Sequence, residues 1–298
     1  MREAFLRKAS AAFASAALIT LTSCGSRVEL MSSEASNQSF WATTASSVEE
    51  TAPEPVTEPF TLDVSIPEGY KLPDKYAIDG FKAIFQKPEL PTGCEVTALC
   101  EVLNYLGFKI DKVELADEFM PIDLNGIVTM NNAYIGDPKS EEGFGCNSPV
   151  IVQTANDYFQ SVDSPCYAVD LTGTELKNLF FQVAEGRPVI AWSTINLITC
   201  YPYLRWTTWE GEEMWFNDLQ HCVVIYGFDL EENTVHTADP LVGNVKYDID
   251  RFEAIYELMG KQAVVICGNS ETEGKYRPVE GAPHSDMLSR NKQEQEAE

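Results

Sequence analysis

Nucleophilic chemistry needs a reactive side chain, a base and a group to hold the base, and this chain carries one set of residues spaced for all three. Cys94 lies in the stretch from Gln86 to Gly107, QKPELPTGCEVTALCEVLNYLG. A Pro-broken approach and a tight turn at Pro91-Thr92-Gly93 precede Ala98, Leu99, Val102, Leu103 and Leu106 at three- and four-residue spacing. That spacing predicts a buried helix over about 94–106. Thr92 and Glu95 have the capping-box spacing, with Thr92 as N-cap and Glu95 at the third helical position. Gly107 stands where a C-terminal cap belongs. Cys94 is therefore expected in the first helical turn, where unpaired N–H groups and the positive end of the helix dipole lower a thiol pKa from about 8.5. The plain alternative is a small buried cysteine in a core helix.

The chain has 3 histidines, His221, His236 and His284. His284 lies in a polar tail. His221 and His236 flank one expected hairpin, Gln220–Gly227 and Thr234–Ala238, joined by the polar turn 228–233. If Gly227 pairs with Asn233, then His221 faces Asp239, and Cβ atoms of opposed residues lie about 4.5–5.5 Å apart. His236 then falls on the other face, and a one-residue slip would reverse the assignment. The roles follow nucleophile–base–orienter logic: Cys94 attacks, His221 moves the proton, Asp239 holds the ring. Gln86 and the Cys94 backbone N–H are the available oxyanion donors. A satisfied core histidine, a turn-forming aspartate and a loop glutamine are the plain readings of the other three.

The elements that must position these residues can be read in order. Val113 to Phe119 is a weaker helix, and 126–150 is a long Gly-, Asn- and Pro-rich loop of the kind that is usually functional or mobile. Ser148-Pro149 reads as an N-cap and first helical residue of a helix through Phe159, and Thr174 as the cap of one that stops at Gly186. Strands are expected at Cys166–Leu171, Pro188–Ile195, Val245–Asp248 and Ala263–Cys267, a helix at Ile249–Met259, and an aromatic hairpin from Trp206 to Trp215 turning at Glu210-Gly211. Helices first and antiparallel strands after indicate an α+β fold.

The ends differ from this domain. Residues 1–23 have a basic start (Arg2, Arg7, Lys8), a short apolar run and then Leu21-Thr22-Ser23-Cys24, which resembles a bacterial lipobox with Cys24 the lipidated residue. The run is short for a membrane span of about 30 Å. Residues 24–66 are a Ser-, Thr-, Glu- and Pro-rich acidic tether, 67–270 the folded domain, and 271–298 a polar tail. The net charge of −25 over 298 residues argues against nucleic-acid partners and against adhesion to anionic surfaces. Among the 8 cysteines, Cys100, Cys222 and Cys267 sit in apolar patterns that suit reduced, buried thiols. No Cys/His spacing matches a zinc site, so neither metal nor cofactor is expected.

Three segments, PELPTGCEVTALCEVLNYLG, GDPKSEEGFGC and HCVVIYGFDLEENTVHTADP, resemble the signature segments of the C-thirty-nine-like cysteine peptidases. This papain-superfamily group is related to the bacteriocin-processing, double-glycine-leader peptidases. The resemblance spans roughly 70–268. It implies a papain-like fold with the Cys helix against an antiparallel sheet that carries the His, and it implies Cys94, His221 and Asp239 as a triad with Gln86 as oxyanion residue. Asn147-Ser148 departs from the aromatic-small pair of the middle segment, and no transport or ATP-binding domain accompanies it, so double-glycine cleavage is not implied. The reading is a lipid-anchored, extracytoplasmic, monomeric thiol peptidase acting on a peptide or protein. A binding module without turnover, and a peptidoglycan amidase or transglutaminase-type acyl transferase, are the alternatives.

Overall fold

The computed structural model describes residues 62 and 64–268. The expected signal segment, Cys24, nearly all of the tether, and the 271–298 tail lie outside the described residues. The chain opens with a three-residue strand, β1 (Lys75–Ala77), which the sequence pattern does not single out. Helix α1 (Cys94–Tyr105) follows, and every residue from Cys94 to Leu103 is buried. A helix covered all round is a core element rather than a surface one. It ends in a Schellman turn. Gly107 adopts φ +98°, its N–H donates to Asn104 O at 3.1 Å, and Phe108 N–H donates to Leu103 O at 3.0 Å.

The start of α1 differs from the capping-box expectation. Gly93 is the N-cap and no side chain caps it, so Glu95 is the second helical residue. The Thr92 hydroxyl donates instead to Ser140 O at 2.8 Å and accepts from the Tyr134 phenol at 3.0 Å. Two tertiary partners thus outcompete one local cap, and Glu95 is released for other work.

Helix α2 (Lys112–Glu118) is capped by Asp111, and the expected long loop holds a short parallel pair, β2 (Ile122–Asp123) and β3 (Tyr134–Ile135). Helix α3 (Ser148–Ser161) starts one residue earlier than expected, because the Ser148 hydroxyl engages Asp170 and Thr172 rather than capping. Next come β4 (Tyr167–Asp170), α4 (Leu176–Ala184), β5 (Val189–Thr194), and the hairpin β6 (Tyr203–Thr207) and β7 (Glu213–Phe216). Glu175, not Thr174, is the N-cap of α4. The chain closes with β8 (Gln220–Asp229), β9 (Thr234–Asp239), β10 (Gly243–Asp248), α5 (Ile249–Leu258) and β11 (Ala263–Cys267).

One seven-stranded sheet organises these elements in the order β10-β9-β8-β5-β11-β4, with β1 also on β8, and its ladders are antiparallel. Helix α1 packs on β8 and β5. The α+β expectation holds, with the Cys helix against the His-bearing strand.

The β8–β9 register differs from the expected one. Asp229 pairs with Thr234, Phe228 with Val235 and Gly227 with His236, which lengthens both strands toward a tighter turn. Past Tyr226 the ladder shifts by one, so that Ile225 pairs with Thr237 and Val224 with Ala238. Tyr226 is the extra residue of a bulge. The expected pairing was off by three residues at the turn, and the bulge reduces the offset to two. An even offset keeps each side chain on its face, whereas an odd one reverses it. His221 and Asp239 therefore share a face as diagonal neighbours, about 7–8 Å apart by Cα and within reach of an imidazole.

Beside the bulge, Gly227 leaves room for β1. A Cβ there would stand 2.8 Å from Tyr76 O and 2.9 Å from Ala77 Cβ. Gly227→Val should cost roughly 1–3 kcal/mol, the usual range for overpacking. Urea unfolding should show a lower midpoint with an unchanged slope.

Candidate active site

The nucleophile candidate is set by two elements. Cys94 is the first residue of α1, where first-turn N–H groups have no intrahelical acceptor. Its sulfur is approached by the backbone N–H of Cys222 on β8, the residue next to His221. The base candidate comes from the same strand. His221 is 2% exposed, and its Nε2 is 2.8 Å from Asp239 Oδ1.

Asp239 ends β9 and is held by more than the histidine. Leu241 N–H donates to Oδ1 at 2.8 Å, and the Tyr247 hydroxyl donates to Oδ2 at 3.0 Å. Burial alone would push its carboxyl up, but the His221 contact, Leu241 and Tyr247 outweigh it, and the pKa falls below the usual carboxylate value. An ionised Asp239 accepts from His221 Nε2–H, which leaves Nδ1 as the basic ring nitrogen. Tyr247, burial and the Asp239 charge hold each other in this arrangement: its phenol is pushed up by burial first and by Asp239 second.

Cys94 is not poised as a ready thiolate. Its thiol donates to Glu95 Oε2 at 3.3 Å, and among the described residues it makes no hydrogen bond to His221. Burial pushes its pKa well above the ordinary thiol value; the charge of Glu95 and the bond to it add to this, as does Asp239, against a lowering by the Cys222 N–H. The helix N-terminus therefore does not prevail over burial and the two nearby carboxylates.

Glu95 is the residue whose role the sequence reading missed. It is 1% exposed, and Oε1 accepts from Cys146 N–H at 3.2 Å and from Gln220 Nε2 at 3.3 Å. Gln220 Nε2 also reaches Cys146 O at 3.3 Å, where Trp192 Nε1 donates at 2.9 Å. Gly145, at φ +123°, leaves space for this carboxylate: a Cβ there would lie 2.5 Å from Glu95 Oε1. The available signal was the Gly-Phe-Gly-Cys run before α3, whose glycines make sense only once something must pass close by.

Gln86 is buried at 2% exposure, and its backbone N–H donates to Pro240 O at 3.0 Å, beside Asp239. Its side-chain Nε2 donates to Leu90 O at 3.3 Å and Pro91 O at 2.7 Å, while Oε1 has no partner. Both amide hydrogens are thus engaged along the loop that leads into α1. His236 lies on the face of β9 opposite Asp239, with its ring 6.1 Å from that of Tyr226. Cys94, Cys100, Cys146, Cys200 and Cys222 are free thiols. Among the described residues, no group of three or more His, Cys, Asp or Glu side chains is arranged to hold a metal ion.

A model of the Peptidase_C39 like family matches residues 78–264. The uncharacterized protein YvpB of Bacillus subtilis (strain 168) is 32% identical over 185 residues, 60% of this chain and 70% of that one. A crystal structure from Bacillus anthracis, described as a C39-like peptidase, superimposes with a TM-score of 0.57 at 30% identity, covering 65% of this chain and 97% of that one. The fold is accordingly the papain-like one that the three sequence segments imply.

Because the folded pKa of Asp239 lies below its unfolded value of about 3.9, ionised Asp239 adds stability above that pH, and the addition is lost as pH falls through the folded pKa. Tyr247→Phe should cost about 1 kcal/mol at neutral pH. The deficit should shrink in acid once Asp239 is protonated in both proteins, as urea unfolding at several pH values will show.

Proposed function

The chain belongs to the Peptidase_C39 like family, and on that premise we propose that it is a thiol peptidase with Cys94 as nucleophile, His221 as base and Asp239 as orienter. The observation that carries the reading is the buried His221–Asp239 pair, 2.8 Å apart, with His221 on β8 beside Cys222, whose N–H approaches the Cys94 sulfur. His221 Nδ1 takes the thiol proton as the sulfur bonds to a peptide carbonyl carbon. The same proton passes to the leaving amine, and water then cleaves the thioester with His221 again as base. The Cys94 backbone N–H is the first oxyanion donor. Gln86 becomes the second if its amide gives up one of the two loop carbonyls.

The substrate is a peptide or protein, and the enzyme acts as a monomer. The acidic balance supports a protein that avoids nucleic acid, and the Leu21-Thr22-Ser23-Cys24 tetrapeptide supports lipidation at Cys24 and an extracytoplasmic, membrane-anchored location. A second reading, a binding module without turnover, is favoured by two observations. Cys94 donates to Glu95, and the Gln86 amide is occupied, so the machinery is at rest.

Hydrolysis of a peptide library, read by mass spectrometry, separates the two. Cys94→Ser and His221→Ala should each abolish cleavage, since nucleophile and base act as a unit. Asp239→Asn should hurt less, Gln86→Ala should cost on the order of 10²–10³ in turnover, and His236→Ala should be nearly silent. Damage from His236→Ala with tolerance of His221→Ala would overturn the assignment. For the anchor, Cys24→Ala should release the protein from membranes or leave its precursor uncleaved. Fractionation and migration identical to wild type would rule the lipid anchor out.

A further inference from the structure

The contact between Cys94 and Glu95 has no part in the three-residue scheme, yet it is built with care. A buried carboxylate is costly unless its oxygens are satisfied. Here Oε1 is held by Cys146 N–H and the Gln220 amide, and Oε2 is left with the thiol of Cys94 as its side-chain donor. Gly145 keeps clear the space that the carboxylate fills. Gln220 is the neighbour of His221 on β8, so the same network that seats Glu95 is continuous with the strand that carries the base.

We propose that Glu95 is a restraining residue on the nucleophile: its carboxylate accepts the thiol's hydrogen bond, keeps the sulfur protonated at rest, and must release the thiol before His221 can receive the proton. This inference rests on the reading of Cys94 as nucleophile, and it adds a resting state to that reading. The groups facing the pair include Cys222 on β8, Asp239 on β9, Tyr134 on β3 and Cys146 ahead of α3. No lysine or arginine is among them. The balance of nearby charge therefore opposes a thiolate, and Glu95 is its closest member. Substrate entry, by drawing the Glu95–thiol bond apart, supplies the activating step. The proton moves from Sγ to His221 Nδ1, and no oxidant or further reactant is needed.

Glu95→Gln tests this with minimal change of shape. The amide oxygen can still accept from Cys146 and Gln220, but the amide nitrogen now donates toward the sulfur, which reverses the hydrogen bond and removes the charge. Alkylation of Cys94 by iodoacetamide, located by peptide mapping, is followed from mildly acidic to alkaline pH in the full chain. The variant's profile should move to lower pH, so that Cys94 labels about tenfold faster or more at neutral pH, a shift of about one unit or more for loss of a close like charge. An unchanged profile, or one moved to higher pH, in a folded variant would overturn the proposal; a purely structural role for Glu95 leaves the profile where it is. If the variant does not fold, wild type is read by infrared difference spectroscopy against Cys94→Ser. An S–H stretching band from Cys94 at neutral pH supports the restraint, and its absence overturns it. Neither readout requires peptide cleavage. Faster labelling in Glu95→Gln without hydrolysis by either protein would sustain the restraint while the peptidase reading fell.

Discussion

Side chains alternate along a β-strand, and whether His221 can meet Asp239 depends on one extra residue in β8. With the ladder continued unbroken from the Asp229–Thr234 pair, Asp239 would stand opposite Val224, on the face that His221 does not share. The bulge at Tyr226 restores the parity. It is secured on both sides, since Tyr226 stacks on Phe81 at 5.5 Å and Gly227 admits β1 against the strand. The local irregularity is thus the condition for a buried histidine and a buried carboxylate to satisfy each other, and a bulge next to a reactive centre is a common device for aiming side chains.

Around that pair the charge distribution is unusual for a thiol site. Glu95 and Asp239 are buried beside Cys94, and Glu101 is buried further along α1. Burial pushes the Glu101 carboxyl well up, with the Asp239 charge adding to it against the Ile84 N–H. Asp239 goes the other way because it has three donors. Glu95 lies between: burial raises it, and four hydrogen-bond donors counter that. Three carboxyl groups in one core region are set to different proton affinities by their donors, which is how one site can separate an orienter from a restraint.

The sequence made the large elements legible because they rest on local signals. The apolar spacing of Ala98 to Leu106 and the cap at Gly107 locate α1 to within a residue at its end, and the β-branched runs locate β5, β8 and β11. His221 and Asp239 were selected correctly as neighbours, but through a register two residues off at that end. The selection survived because the error was even. What was not legible depends on tertiary competition. Thr92 has the spacing of a cap yet is taken by Ser140 and Tyr134, and its loss frees Glu95 from a capping role. The reduced proton affinity expected at a helix N-terminus holds for an exposed, isolated cysteine; burial first, and then the carboxylates of Glu95 and Asp239, reverse it. Gln86 was recognisable as an available donor ahead of Cys94, but its burial and the direction of its amide are set by tertiary packing and by the carbonyls of Leu90 and Pro91.

The central claim is that one thiol, Cys94, attacks a peptide carbonyl with help from His221. A peptide bearing an electrophilic aldehyde in place of the scissile bond tests it most directly, with the adduct weighed on the intact protein and mapped by fragmentation. The account predicts a single addition at Cys94, formed at least about a hundredfold more slowly when His221 is alanine, as expected for loss of a general base. Addition at Cys146, Cys200 or Cys222, or capture by Cys94 at an unchanged rate without His221, would contradict it.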